Sequence, residues 1–280
     1  MAPSNGSDVL AIVLHYNRYD FTSECLRALR LQSHRVDVLV LDNGSTDDSA
    51  ARLAEEVKTK LLENTFRNVN IALINEFAQI CDTLGVDVWE VVEAAKTKPF
   101  GFMPFYPGPG IGGHCIPLDP QYLVYRARLS GYEPRLVALA DQINQEMPAY
   151  VVRRAMEVLN ARGLAMRGAN VLTVGVTYKA DVPDLRESPA LPVLRQLRRL
   201  GAKVAYVDPY VPDLVLDGVR VPRTDLTPEA VATADLVVLL TAHGTVDYGP
   251  LSHACAHVLD TRHVTSVPRD TTVTRHCPKS

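Results

Sequence analysis

The chain alternates short apolar runs with stretches of helical spacing, in three blocks. In the first, Val9 to Leu14 is a continuous apolar run that predicts a buried strand. Thr22 to Leu31 carries Cys25, Leu26 and Leu29 at helical spacing, and Val36 to Leu41 predicts a second strand. The polar run Asp42-Asn43-Gly44-Ser45-Thr46-Asp47 predicts a turn, with Ser45 or Asp47 placed to cap a helix from Asp48. Together these make one βαβ unit. In the second block, from about Lys58 to Gly163, Leu61, Leu62, Val69, Ile71, Leu73 and Ile74 predict a strongly apolar helix ending near Gly85. Val86 to Glu90 starts another helix. Tyr122 to Leu129 predicts a short one, and Pro134 to Leu159 a long one with Pro148 as a kink or break. The third block, from about Ala169, reads strand (Val171 to Val176), helix (Ser188 to Leu200, ended by Gly201) and strand (Lys203 to Val207). Strands at Leu236 to Thr241 and Val258 to Asp260 follow. Strands alternating with helices imply an α/β fold with a parallel, wound sheet. No internal repeat interrupts this order, and the tail from about Val267 is expected to be loose.

A loop from about Thr97 breaks the helical block, and it is rich in Pro, Gly and aromatic residues. Loops of that length inside compact domains are usually functional or disordered. Phe100, Phe102, Phe105 and Tyr106 argue against disorder. The loop ends in Gly108-Pro-Gly110-Ile-Gly112-Gly113-His114-Cys115-Ile-Pro117-Leu-Asp119. Glycines here let backbone amides approach a ligand closely, and successive amides make an anion nest. Cys115 is therefore a candidate nucleophile, although a free cysteine is often an inert buried thiol. Gly108, Gly110 and Gly113 match G-x-G-x-x-G by spacing. A dinucleotide fingerprint must follow a strand and open a helix, and the surrounding prolines oppose that reading. Pro117 also opposes regular helix between Cys115 and Asp119.

Composition narrows the classes. The 280 residues are enough for about two domains, and 47% hydrophobic with 22% charged residues is ordinary for a globular protein. A net charge of -3 gives no basic footprint for nucleic acid, and Arg195, Arg198 and Arg199 read as the solvated face of one helix. Five scattered cysteines without C-x-x-C fit a reducing cytosol. No stretch predicts a membrane span or a secretory signal. His253, Cys255 and His257 form H-x-C-x-H, but no further ligand is placed to complete a zinc site, so no metal is expected.

Three long strings resemble the UDP-glucose/GDP-mannose dehydrogenase family. Lys60-Leu-Leu-Glu-Asn64 through Asn75-Glu76 is similar to its central helix. Thr97 through Pro120 is similar to the branch that oxidises UDP-N-acetylhexosamines. Tyr178-Lys179-Ala-Asp181 with Asp184-Leu-Arg186-Glu187-Ser188-Pro189 is similar to its C-terminal, Rossmann-like domain. The resemblance implies a helical central domain at 58–163 and a UDP-sugar-binding Rossmann-like domain at 164–280. It implies NAD-dependent oxidation of the 6-hydroxymethyl group of a UDP-sugar through a Cys115 thiohemiacetal and thioester. Asp119 matches the acid that helps activate water. Lys60 and Asn64 match the catalytic lysine and asparagine; at i and i+4 of a helix both face one oxygen. The same spacing pairs Lys60 with Glu56, and on spacing alone the two readings stand level. Gly108, Gly110, Gly112 and Gly113 would contact the sugar nucleotide, Lys179 the UDP moiety, and Arg186 the NAD side. His114 adjoins the nucleophile and stands to lower its pKa, to contact the N-acetyl group, or only to pack.

Upstream of Lys60 the family's NAD-binding domain is expected, and no strand followed by G-x-G-x-x-G stands there. Residues 9–56 instead resemble the start of a family 2 glycosyltransferase, through Leu14-His15-Tyr16-Asn17-Arg18 and Val40 to Asp47. The D-x-D and catalytic base of a transferase are absent from this segment. The chain thus reads as a truncated N-terminal βαβ segment (1–57) fused to central and C-terminal dehydrogenase domains. Three functions compete. The first is an enzyme whose NAD site comes from another chain or a degenerate fold. The second is a non-catalytic UDP-sugar-binding module that dimerises through its central helices. The third is a remnant of fused genes, marked by an exposed apolar face on those helices.

Overall fold

Residues 9–30, 36–253 and 257–264 are described by the computed structural model. The elements run β1 (Val9–His15), α1 (Tyr19–Arg30), β2 (Val36–Asp42), α2 (Ser49–Leu84), α3 (Val88–Lys96), α4 (Cys115–Leu129) and α5 (Arg135–Asn160). There follow β3 (Asn170–Val174), α6 (Ala190–Arg199), β4 (Lys203–Val207), β5 (Val215–Leu216), β6 (Val219–Arg220), α7 (Pro228–Thr233), β7 (Leu236–Leu239), α8 (Gly249–His253) and β8 (Val258–Asp260). The chain divides into two compact units, Met1–Asn64 and Thr65–Ser280.

In the first unit β1 and β2 pair in parallel from Val9↔Val36 to His15↔Asp42, with α1 between them. Asp47 accepts a hydrogen bond from the Ser49 amide (3.0 Å) at the start of α2. The 36 residues of α2 contain neither glycine nor proline, which removes the two strongest helix breakers. Gly85 stops it in a left-handed conformation (φ 68°). The Val86 amide then bonds back to Cys81 O at 2.9 Å, the six-to-one bond that closes a helix C-terminus. Asp87 restarts the chain as the N-cap of α3, accepting from the Trp89 amide.

The second unit carries a four-stranded parallel sheet in the order β4-β3-β7-β8. Of its inner strands, β7 is apolar throughout and β3 is apolar except for Asn170 and Thr173, as suits a sheet covered on both faces. One face packs on α5 and α6 through Val151, Ala155, Leu159, Val193, Leu194 and Leu197. The other packs on α7 and α8 through Val231 and Leu251. The chain passes from β3 to β4 on one side and places β7 on the other. The strand order therefore reverses between β3 and β7, the point where wound sheets place ligands beyond the strand ends.

The helix boundaries read from proline are corrected. The helix expected from Tyr122 begins at Cys115, seven residues earlier. Pro117 lies at the third helical position, where its missing N–H has no intrahelical partner to lose. α2 carries part of its apolar surface to solvent. Leu62 and Leu73 are 72% and 61% exposed, whereas Thr65, Asn68, Ala72 and Asn75 point inward. α5 continues through Pro148. The short elements β5, β6, α7 and α8 were not expected. The tail from Val267 and Cys255 of the H-x-C-x-H pattern lie outside the described residues.

Candidate active site around Cys115

Cys115 is the first residue of α4, half-buried, with Asp119 one turn further along the same helix. α4 is short of backbone donors because Pro120 lies inside it. The carbonyl of Ile116 would accept from residue 120 in a regular helix, and proline has no N–H to give. The side-chain amide of Asn68, on α2, donates to Ile116 O instead (3.3 Å). Asn68 belongs to a buried group with Asn75 and Asn144. Asn144 Nδ2 donates to Asn68 O (3.1 Å), Asn75 Nδ2 to Asn144 Oδ1 (3.0 Å), and the Gly108 amide to Asn75 Oδ1 (2.9 Å). Sequence reasoning missed Asn68, Asn75 and Asn144. Asn68 and Asn75 stand seven residues apart on α2, but nothing local ties them to Asn144 on α5.

The glycines of the loop are explained first by close packing. A methyl on Gly112 would sit 2.6 Å from Tyr178 Cβ, 2.8 Å from Glu187 O and 2.9 Å from Pro189 Cδ. One on Gly113 would meet the Tyr178 ring at 2.9 Å, and one on Gly108 the Arg262 guanidinium at 2.5 Å. The Gly113 amide donates to Arg186 O (3.1 Å). The amides of Gly108 and Gly113 are thus bonded within the protein.

The segment that faces these glycines, Thr177–Pro189, leaves the end of β3 at the strand-order reversal. Asp181 and Glu187 adopt left-handed backbone angles (φ 61° and 48°), uncommon for residues with side chains and enriched at functional loops. The loop is held from β4 and β7. The Asp181 amide donates to Nδ1 of the buried His243 (3.0 Å), which leaves His243 Nε2 to donate to Asp208 (3.0 Å). Burial works against the Asp208 carboxylate, but bonds from His243 and the Val176 and Tyr210 amides outweigh it and lower its pKa. Lys179 is exposed on this loop. Arg186 is clamped by Asp184 through contacts of 3.0, 3.0 and 2.6 Å. That pair raises the pKa of Arg186 and lowers that of Asp184; Tyr178 and Cys115 add to the first effect, and His114 to the second. The guanidinium therefore lies within electrostatic reach of the thiol. Arg262, also missed, follows β8. Its Nε donates to Leu240 O (2.8 Å), it lies against Gly108, and burial pushes its pKa down to about 10.

Lys60 and Asn64 stand one turn apart on α2, in the first unit. The Lys60 ammonium is ion-paired with Glu56, which also accepts from Tyr19 OH (2.9 Å) and Ser23 Oγ (3.1 Å). The pairing with Glu56 read from spacing is therefore present. In the same unit Asp42, at the end of β2, accepts from the Ser45 amide (3.3 Å). Asn17 (φ 45°) accepts from the Thr46 amide (2.7 Å).

The described residues do not fit a dinucleotide. The turn after β1 is His15-Tyr16-Asn17-Arg18, without glycine. The turn after β3 has only Gly175, where a side chain would run into the backbone of Thr241, and no helix opens there. Arg186, matched to the NAD side, is occupied by Asp184. No group of three or more His, Cys, Asp or Glu able to hold a metal occurs among the described residues.

A helical segment bearing a thiol at a helix start, joined to a parallel sheet with a loop at its strand-order reversal, defines a wound α/β protein. Sequence comparison makes this specific. Residues 54–146 match the central domain of the UDP-glucose/GDP-mannose dehydrogenase family, and residues 172–267 match its UDP binding domain. The chain belongs to that family through these two domains. Residues 10–82 also match glycosyl transferase family 2. The UDP-N-acetyl-D-mannosamine dehydrogenase of Methanococcus maripaludis is 37% identical over 198 residues, covering 71% of this chain and 42% of that protein. The UDP-N-acetyl-D-glucosamine 6-dehydrogenase of Pseudomonas aeruginosa is 40% identical over 172 residues, covering 61% and 40%. The solved UDP-D-ManNAc dehydrogenase of Pyrococcus horikoshii superposes with a TM-score of 0.66 at 28% identity, over 92% of this chain and 58% of that one. The chain thus spans about two-fifths of the length of these curated relatives.

Proposed function

We propose that the chain binds a UDP-N-acetylhexosamine and presents Cys115 to its C6 carbon, as the substrate half of a UDP-sugar 6-dehydrogenase. The observation that carries this reading is the convergence on one thiol of a helix start, a cation and a packed glycine loop. Amides at a helix start and the nearby Arg186 favour the thiolate. The thiolate adds to a C6 aldehyde, the carbonyl oxygen takes a proton, and a thiohemiacetal results. Asp119, one turn along α4, is placed to orient water for hydrolysis at the later thioester stage. Lys179 and Arg262 supply the cations that a diphosphate requires. The backbone of Gly110 and Gly112 lines the approach, while Gly108 and Gly113 shape the loop by their bonds within the protein. NAD is the hydride acceptor that the relatives' chemistry implies. The described residues do not fit it, so this reading requires an NAD site outside them.

A second reading, a UDP-sugar-binding module without turnover, is favoured by one observation. Lys60, matched to a catalytic lysine, is held by Glu56. Both readings share a homodimer built on α2, where Phe66, Leu73, Phe77, Ile80 and Leu84 are exposed at spacings of three, four and seven. Among the described residues no helix is long and apolar enough to cross a membrane. Calorimetry decides between the readings. UDP-N-acetylhexosamine binding that is lost on Lys179→Ala or Arg262→Ala supports a sugar-nucleotide site, and absence of binding to the wild-type chain refutes it. NADH formation on adding an NAD-domain protein, abolished by Cys115→Ser, separates enzyme from module.

A further inference from the structure

We propose that Asn68, Asn75 and Asn144 are positioning residues for Cys115, a buried amide relay that pins the glycine segment at Gly108 and again at Ile116. The proposal rests on Cys115 as the nucleophile, and deepens that reading by naming what holds the thiol in place.

Three observations carry it. First, the relay is continuous: Gly108 N–H to Asn75, Asn75 to Asn144, Asn144 to the backbone of Asn68, and Asn68 to Ile116 O. Its two ends lie on either side of the segment that delivers Cys115. Second, the Ile116 carbonyl is the one that Pro120 leaves without its helical donor, so Asn68 replaces a backbone bond in the turn that starts at Cys115. Third, Asn68 is 1% exposed and its Oδ1 has no hydrogen-bond partner among the described residues. A buried acceptor left in that state opposes folding. A residue serving only the core would be apolar here, so the amide donor is what the position retains.

The hydrogen bonds of the relay run to amide and backbone groups. The titratable groups on the elements next to the thiol are Arg186, Tyr178 and Asp184 of the facing loop, His114 before α4 and Asp119 on α4; of these, Arg186 lies within electrostatic reach of it. Loosening the first turn of α4 misaligns its amides relative to Cys115 and weakens their support of the thiolate. The effect is thus read in the pH dependence of Cys115 alkylation, a signal that requires neither NAD nor turnover.

Two substitutions form a cycle. Asn68→Ala removes the donor; Pro120→Ala gives the helix its own N–H for Ile116 O. Iodoacetamide labelling is followed by mass spectrometry of the Cys115 peptide from the full chain, with thermal melts in parallel. Asn68→Ala is expected to raise the pH midpoint by about half a unit. Pro120→Ala alone leaves the midpoint in place, and the double variant returns it to the wild-type value. A rise on Asn68→Ala that is equal with and without Pro120→Ala, or a lower melting temperature with no change in midpoint, overturns the proposal. Should Asn68→Ala fail to fold, recovery of a cooperative melt in the double variant supports the relay, and a double variant that also fails to fold overturns it. A wild-type midpoint at the ordinary cysteine value of about 8.5 counts instead against Cys115 as nucleophile, so the two failures are distinguishable.

Discussion

Replacing Gly112 with alanine is the sharpest steric perturbation the site offers. The new methyl would lie within 3 Å of Tyr178 Cβ, the Glu187 carbonyl and the Pro189 ring. None of these atoms moves by rotation of a flexible side chain, so the loop after β3 or the glycine segment must shift. Overpacking of this kind costs about 1–3 kcal/mol. In a unit of this size each kcal/mol lowers the melting temperature by about 2–4 °C, which gives a fall of roughly 2 to 12 °C. Gly131→Ala is the control. Its φ is 82° with nothing within 4 Å, so alanine there meets only left-handed strain, about 1–2 kcal/mol. Scanning calorimetry and Cys115 alkylation are measured for both. Gly112→Ala should lower the melting temperature and alter the alkylation rate, because it displaces the backbone three residues from the thiol. Gly131→Ala should lower only the melting temperature. If Gly112→Ala melts within about a degree of wild type, the packing against Tyr178 and Pro189 is not what the glycine serves.

Asp184→Asn tests the clamp on Arg186. The folded-state pKa of Asp184 is depressed, so its contribution to stability is complete above the ordinary carboxylate range and is lost as pH falls through the depressed value. The variant should be less stable than wild type by about 1–2 kcal/mol at pH 7, with the gap closing in strongly acid solution; a gap that persists there contradicts the clamp. Glu56→Gln should change stability by less than about 1 kcal/mol, since the pair is partly exposed. It should nevertheless raise acetylation of Lys60 by acetic anhydride, and unchanged labelling would mean that Glu56 does not hold the ammonium. Phe77→Glu places a charge in the exposed apolar stripe of α2 and should convert a dimer to a monomer in sedimentation; an unchanged mass moves the interface elsewhere.

The wound sheet was legible because β3, β4, β7 and β8 are predominantly apolar runs bounded by turn residues, and burial on both faces favours that pattern. The start of α4 was not, because Pro117 reads as a breaker unless its place in the first turn is known. α2 misled for a different reason. Leu62 and Leu73 stand exposed while Asn68 and Asn75 are buried beside Ala72, so hydrophobicity alone does not assign its faces. The thiol and its flanking glycines were identifiable from composition and resemblance. Arg262 and the asparagine relay were not, because their partners lie 22 to 154 residues away in sequence. Such long-range pairing leaves no local pattern.

The central claim is that a UDP-sugar occupies the space in front of Cys115. The most direct test is protection: the rate of Cys115 alkylation in the wild-type chain, measured with and without saturating UDP-N-acetylhexosamine, with UDP alone as a second ligand. The account predicts strong slowing by the sugar nucleotide, weaker slowing by UDP, and loss of both effects in Lys179→Ala. Alkylation that proceeds at the same rate with and without ligand would contradict it.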